Sequence, residues 1–504
     1  MNIDSWIEDS WANMGSNTPC PLVEGSNKAN YLSWRSIQIN RVDLRNPSDD
    51  NDDLAALIGF NIFIEKSLEY LEIGTIELII PGVTLQLTHF LPGAYGGTSY
   101  GFVRHEGKWY VTFIIGNQPS IFAVYIPDSS VVYISNYKGV GQGIAEGLLA
   151  ELDLLIVTRG AELFAFLQNP VSRVGLQVAN RHIGHHLWNE LSGIEYLLKS
   201  RCAEKIEIVY TTDVSNIYSP LEKIFPLFAG KVVVDNGVGD RITRILADRI
   251  SIIPYGAAFI SAALADRLLM LARESDGQLL NSLLSDAGSL ALKVLIGLRV
   301  ENRYWIDQAS GYVSLIRRLV EKFHSVAIVF DGHNCGCYGA KIRSFNERLS
   351  SSDEEMASVI MERSIVAFVR NDLSDLIESG AVYIADTILM PVNASIMAAM
   401  WCDFYISHWG AGLAKYKWIA NRPGIVFSAR HVLQNKVDVR IYENPRIREG
   451  ATSHSHVPID LIEDVVSEST LVKSQGSNYL CFRMNRERFE DFVLKWVADR
   501  NYQL

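Results

Sequence analysis

The chain has 504 residues, 48% of them hydrophobic and 20% charged, and its formal net charge is -11. Length and apolar content suit about three domains with packed cores, while the negative balance argues against a general nucleic-acid binder. No apolar run is long enough to form a membrane-spanning helix. Six scattered cysteines, of which only Cys335 and Cys337 are close, together with a polar opening at Met1-Asn2-Ile3-Asp4, lead to the expectation of a cytoplasmic protein with no secretory signal.

Residues 1–150 read as a β-rich N-terminal domain. After the acidic loop Ser48–Asp53 come short β-type runs over 75–80, 83–90, 101–105, 108–115, 121–126 and 130–135. Turn chemistry separates them (Pro81-Gly82, Pro92-Gly93, Glu106-Gly107, Pro127-Asp128), which predicts an antiparallel sheet or small sandwich. The aromatics Tyr95, Tyr100, Trp109 and Tyr110 suit either core packing or a surface on which a sugar ring stacks.

From residue 151 strands and helices alternate, giving an α/β region over 151–285. Leu152–Thr158 opens this regime, and Val174–Asn180, Lys205–Thr211, Lys231–Asp235 and Ile250–Pro254 read as strands. His182–Ser200 and Ala262–Arg273 carry helical apolar spacing. A second α/β region spans 286–435. Its strands are predicted at Val294–Arg299, Val326–Asp331 and Val382–Ile384, and its helices at Tyr312–Phe323, Glu354–Val369 and Asn393–Met400. Residues 436–504 read as an irregular segment followed by helices near Pro458–Glu468 and Arg486–Asp499.

The most informative stretch is Trp401–Gly424. Asp403–Ser407 reads as a buried parallel strand, and His408-Trp409-Gly410-Ala411-Gly412 as a tight turn. Leu413–Ala420 resumes with helical spacing, and Ile425-Val426-Phe427 is the next strand. Strand, small-residue turn, helix and strand make up half of a doubly wound nucleotide-binding unit, whose turn lies at the carboxyl edge of the sheet. There Gly410 and Gly412 let the backbone approach a ligand, and amides opening a helix suit a phosphate. The same pattern also describes a close-packed turn without a ligand.

These residues carry a resemblance. Leu298-Arg299, Asn302-Arg303, Asp403 and Ser407–Leu413 resemble the nucleotide-sugar-binding lobe of GT-B-fold glycosyltransferases, closest in style to glycosyltransferase family 61, whose late motif reads H-G-A-G-L. Here Trp409 stands between His408 and Gly410, and Lys415 stands where an asparagine often follows. The resemblance covers roughly 290–430. It implies two Rossmann-like lobes behind the β-rich domain, an acceptor-side lobe (151–285) and a donor-side lobe (286–435), with 436–504 packing back on them. It also implies transfer of a sugar from a nucleotide-activated donor to a glycan or protein acceptor. The nucleotide-sugar is a substrate, so no cofactor is expected. No D-x-D pair stands between clear strands of the donor-side region, which fits a metal-independent reaction, while the resemblance to inverting enzymes and the lack of a paired-glutamate signature near the C-terminal turn imply an inverting one. A Kdo- or pyruvyl-type transferase and a non-catalytic carbohydrate-binding protein are the alternatives.

Such a transfer needs a base, stabilisation of the departing phosphate, and positioning. The phosphate candidates are the amides of Ala411, Gly412 and Leu413 with Arg299 or Arg303, whose donor forks suit phosphate, and Lys415. Each cation also reads as a solvated surface charge. His408 either touches the donor or is a buried turn residue bonded to backbone. For the base, His182, His185 and His186 follow a strand end. They read as catalytic or acceptor-binding, as helix-surface histidines, or, with Glu190, as an incomplete zinc set. Asp331-Gly332-His333-Asn334 and Asp235-Asn236-Gly237 end strands at the same kind of edge, as ligand-pocket lining or plain loops.

Overall fold

The computed structural model describes residues 38–42, 64–80, 83–93, 98–105, 108–115, 119–127, 131–135, 141–180, 182–212, 216–234, 238–287, 290–301, 303–334, 353–435, 439–465 and 481–500. The acidic loop Ser48–Asp53, Tyr95, Asp235-Asn236-Gly237, Asn302, Cys20, Cys335 and Cys337 lie outside them. The chain is α/β, with two parallel sheets preceded by a largely antiparallel one. It divides into two compact units. The first runs through Ala258, except that His182–Gly184 and Asn216–Ile224 belong to the second, which continues from Phe259.

In the first unit, strands β1 (Gln38–Val42), β2 (Ile76–Ile80), β3 (Val83–Pro92), β4 (Thr98–His105), β5 (Lys108–Ile115), β6 (Ser120–Ile126) and β7 (Val131–Ser135) form a seven-stranded sheet in the order β1-β7-β6-β5-β4-β3-β2. All neighbours are antiparallel except β1 and β7. Tyr100, Trp109 and Tyr110 are buried. They therefore serve the core, and Tyr100 donates its hydroxyl proton to Leu148 O at 2.9 Å.

The expected strand at Leu152–Thr158 is instead part of a 28-residue helix, Gly141–Gln168, kinked at Arg159. The boundary drawn at 150/151 therefore falls inside one element. The reason is packing. Leu148, Leu152, Ile156, Leu163 and Phe166 all lie in a core shared with the antiparallel sheet and with Ile250 and Ile252, while Leu154 of the same run is exposed, so the apolar residues outnumber the buried face and their spacing does not separate strand from helix. Each of the buried side chains contributes about 1.5–3 kcal/mol by burial.

A four-stranded parallel sheet completes this unit: β8 (Arg173–Val178), β9 (Ile206–Thr211), β10 (Val232–Val234) and β11 (Ile250–Ile252), in the order β10-β9-β8-β11. The strand order reverses between β8 and β11.

The second unit is built on a six-stranded, wholly parallel sheet of β12 (Leu292–Gly297), β13 (Val326–Asp331), β14 (Val382–Asp386), β15 (Phe404–His408), β16 (Gly424–Phe427) and β17 (Ser455–His456). Its order, β14-β13-β12-β15-β16-β17, is the dinucleotide-fold order 3-2-1-4-5-6, with its switch point between β12 and β15. β13 and β15 are buried at every position, as strands covered on both faces must be. Helices Gln308–Phe323 and Asp353–Asp372 link β12 to β13 and β13 to β14, and Val392–Trp401 links β14 to β15. Trp305, fully buried, packs edge-on against Tyr312, Phe427 and Phe489. Gly311 leaves room for it, since a Cβ there would meet the indole at 1.9 Å.

The helix expected near Pro458–Glu468 is replaced by a single 3-10 turn and strand β18 (Ile462–Val465), which pairs antiparallel with β19 (Cys481–Met484). β18 gains a partner that lies far along the chain, which local spacing does not reveal. Helix Arg486–Ala498 forms as expected, capped by Asn485.

Candidate functional site

The carboxyl ends of β12, β13 and β15 bring together most of the chemistry of the second unit. Asp331, the last residue of β13, is 1% exposed. Its Oδ1 accepts from Ser395 Oγ at 2.5 Å and Thr387 Oγ1 at 2.6 Å, and its Oδ2 from Lys415 Nζ and the Tyr416 hydroxyl. Burial pushes the carboxyl up, but the Lys415 ammonium and these hydroxyls outweigh it and hold it below the ordinary carboxylate range. Lys415 also donates to Asn334 Oδ1 at 2.7 Å.

Lys415 and Tyr416 are adjacent in sequence yet reach one carboxylate oxygen. The segment that carries them explains this: it is a π-helix, Ala414–Ile419, rather than the α-helix the apolar spacing predicts over Leu413–Ala420. The wider turn brings both side chains inward, and π-turns of this kind recur at functional sites. Six residues are too few for a strong helix-end field.

Two residues past Asp331, His333 is gripped from both sides. Its Nδ1 donates to Glu362 Oε1 and its Nε2 to Glu301 Oε1, each at 2.8 Å, while its backbone N–H donates to Glu362 Oε2 at 2.8 Å. With a carboxylate on each ring nitrogen the imidazole holds both protons, and its pKa is pushed up to about 10 by Glu301 and Glu362. Gly332 makes this possible, because a Cβ there would lie 2.3 Å from Glu362 Oε2.

Arg299 and Arg303 follow β12. Arg299 lies against the glycine turn, where a Cβ at Gly410 would stand 2.6 Å from its Nη1. Burial lowers its pKa to about 10, assisted by Arg303, so it stays cationic at neutral pH. Arg303 adopts a left-handed backbone at φ 53°, which costs about 1–2 kcal/mol in a residue with a Cβ. Its guanidinium sits 5.5 Å above the Trp409 ring, a cation–π distance. Trp409, the departure from the H-G-A-G-L pattern, is thus a platform for Arg303, anchored by its indole N–H to Val439 O at 3.0 Å. Four cationic groups (Arg299, Arg303, His333, Lys415) face three anionic ones (Glu301, Asp331, Glu362) at this edge.

Among the expected amides, Leu413 N–H donates to Gly410 O at 3.1 Å. No backbone carbonyl among the described residues accepts from Gly410, Ala411 or Gly412, and Gly412 is exposed. His408 is buried, its Nδ1 donating to Gly297 O at 3.3 Å and its Nε2 accepting from Trp305 N–H at 3.2 Å. Burial, with Arg299 next, lowers its pKa to about 3. It is a neutral ring that ties β15 to the loop after β12.

In the first unit, a cleft opens at the switch point of β8 and β11. It is lined by Gln177, Asn180, Asn189, Glu190, Pro254 and Tyr255 among others. Here the three histidines divide. His186, 1% exposed, bonds Glu190 Oε2 at 2.8 Å, and Glu190 Oε1 accepts from the amides of Ala179 and Asn180, each at 3.0 Å; His186 thereby braces the strand end. His185 is half-buried, with Nδ1 3.0 Å from Asn189 Oδ1. Because Asn189 Nδ2 donates to Ala257 O at 2.8 Å, its oxygen faces the ring. Nδ1 then carries the proton and, in the neutral ring, Nε2 the lone pair. His182 is exposed, and among the described residues His182, His186 and Glu190 do not bring three ligand atoms together as a zinc set would. A second π-turn, His186–Leu191, sets these side chains.

Sequence reading placed His333 at an edge but missed its partners: Glu301 lies in a loop and Glu362 on a distant helix, and no motif links them.

No protein-family model matches the chain, and no curated protein matches it. Among solved structures it is similar to the E. coli ADP-heptose lps heptosyltransferase II, at 10% identity and TM-score 0.28 over 68% of this chain and 96% of that one. It is also similar to a glycosyl transferase family 9 protein from Veillonella parvula, at 11% identity and TM-score 0.27 over 51% and 80%. A third is the UDP-GlcNAc 2-epimerase from Methanocaldococcus jannaschii, at 12% identity and TM-score 0.26 over 73% and 85%. These are weak likenesses.

Proposed function

We propose that this chain is a glycosyltransferase of the GT-B class, related in style to glycosyltransferase family 61, that moves a sugar from a nucleotide-activated donor to a glycan or protein acceptor. We further assign it an inverting transfer that uses no metal at the reacting centre. The observation that carries this reading is the pair Arg299 and Arg303, set beside the glycine turn at the switch point between β12 and β15. Ligands of open parallel sheets lie at that crevice, and guanidinium forks match a diphosphate better than an ammonium does. In the transfer, Arg299, Arg303 and the amides of Ala411 and Gly412 would take up charge developing on the departing phosphate. Lys415 and His408 would hold the turn in place. His185, with its Nε2 lone pair, is the base we assign for the acceptor hydroxyl.

The test is thermal stabilisation by UDP, GDP, CMP, dTDP and ADP, each with and without chelator, since a ligand that binds only the folded chain raises its melting temperature. A shift with one nucleotide, indifferent to chelator and weakened in Arg303→Ala, supports the reading. No shift with any of them overturns it.

A further inference from the structure

A second cluster of ligand-type side chains lies at β17, the outermost strand of the six-stranded sheet. His454 and His456 are two residues apart, which along an extended chain puts both on one face. Between them Ser455 accepts from Trp496 Nε1 at 2.8 Å. The two Nε2 atoms stand 3.0 Å apart, and His454 is buried. Glu443 closes the 3-10 turn Ile441–Glu443 and presents its carboxylate to the pair, so that ligand atoms of all three residues lie within 4.8 Å of one another. Among the described residues this is the one such convergence of three.

We propose that Glu443, His454 and His456 bind one divalent transition ion of the zinc class, clipping the turn at 441–443 to the edge strand. The geometry admits the ion. Two nitrogens each about 2.05 Å from a common zinc and 3.0 Å apart subtend about 94° there, within reach of a distorted tetrahedral or five-coordinate site. Two imidazoles and a carboxylate form a donor set suited to zinc, with a water to complete the shell. The neighbouring cations are accommodated. Lys417 is turned away onto Thr452 O and Oγ1, each at 2.6 Å. Arg440, 3.6 Å from Glu443 Oε1, is largely exposed and free to swing out. The ion would close the loop between residues 443 and 456 and pin a two-residue strand that, among the described residues, pairs with β16 alone. The site is independent of the nucleotide-sugar reading.

The experiment strips the full chain with chelator, desalts it, and titrates zinc chloride. Readouts are metal content after desalting, the melting temperature, and the visible spectrum with cobalt(II) in place of zinc. The wild type should retain one zinc per chain, melt higher with it, and give cobalt bands of a four- or five-coordinate site. Affinity should fall at least ~10-fold in Glu443→Gln and in His456→Ala. Zinc should also shield His454 and His456 of the wild type from diethyl pyrocarbonate, which needs no variant to fold. A wild type that keeps no zinc, or variants that bind it as tightly, or histidines modified equally with and without zinc, would overturn the assignment.

Discussion

Replacing Asp331 by asparagine tests whether its buried pair with Lys415 is an electrostatic unit. The amide would keep an acceptor for Ser395 and Thr387 but remove the charge facing Lys415, whose side chain is 5% exposed. An ammonium left in that position without its counter-ion costs about 3–5 kcal/mol. For a unit of this size each kcal/mol moves the melting temperature by roughly 2–4 °C, so Asp331→Asn should melt about 10 °C lower. The companion variant removes the ammonium as well. Asp331→Asn with Lys415→Met should lie within about 2 kcal/mol of wild type, because exchanging a whole buried pair for neutral groups is often close to neutral. Chemical denaturation of the four proteins in the cycle reads the coupling directly. The sign with pH follows from the lowered carboxyl: the stabilisation is present above the unfolded carboxylate range and is lost as pH falls through the folded value. Asp331→Asn should therefore lose that acid-limb dependence. An asparagine variant within about 1 kcal/mol of wild type, or strictly additive losses, would refute the argument.

Three further outcomes are expected. His333, with its pKa near 10, should show no imidazole titration by NMR between about pH 5.5 and 8.5, whereas Glu362→Gln should bring a titration down toward the ordinary value near 6.5. Because the folded pKa is raised, the stability His333 contributes is full below about 6.5 and fades as pH rises toward 10; a wild-type ring that titrates at the ordinary value contradicts the clamp. Arg303→Ala should weaken the nucleotide-induced thermal shift by an amount equivalent to ~10-fold or more in affinity, from loss of a charge-assisted contact of about 1.5–3 kcal/mol, with the melting temperature of the free protein little changed; an undiminished shift removes Arg303 from the site. His185→Ala should lower turnover by about 10²–10⁴-fold with nucleotide binding intact, and unchanged turnover would move the base elsewhere.

What the sequence disclosed here follows from range. The central strands were legible because a strand covered on both faces must be apolar throughout: Val326–Asp331 was read to the residue, and Phe404–His408 to within one. The glycine turn was legible because small residues between a strand and a helical repeat have few other uses. The helix Gly141–Gln168 was not legible, since its run at 152–158 carries apolar residues on exposed as well as buried positions, Leu154 among them, and so shows no helical period. The π-turn Ala414–Ile419 was beyond reach, because Lys415 and Tyr416 both bond to Asp331, a residue far away along the chain. Edge strands β17, β18 and β19 were missed because each is too short for a pattern of its own. Residues whose partners lie far along the chain were the hardest. Glu362 stands on a helix among other acids, and only the fold reveals that its side chain turns inward.

The same geometry decides which groups can answer to an anion at this edge. Lys415 is neutralised by Asp331 and held by Asn334, His408 is kept neutral by burial between two backbone groups, and His333 has both ring protons engaged by carboxylates. Each of these has its strongest interactions inside the protein and is therefore suited to fixing positions. The arginines differ in the number of donors they carry. A guanidinium has five donors in a rigid fork, so it can pack on an indole or a glycine turn and still present N–H groups in another direction. Arg303 shows the arrangement most plainly, with its ring contact beneath it and a left-handed backbone that places it there at a conformational cost. Strain of that sort persists where the surroundings over-determine the residue, and such positions concentrate at ligand sites. Under the proposed reading, the histidine and lysine that a motif would single out fix positions at this edge, and recognition of the phosphate falls to Arg299 and Arg303.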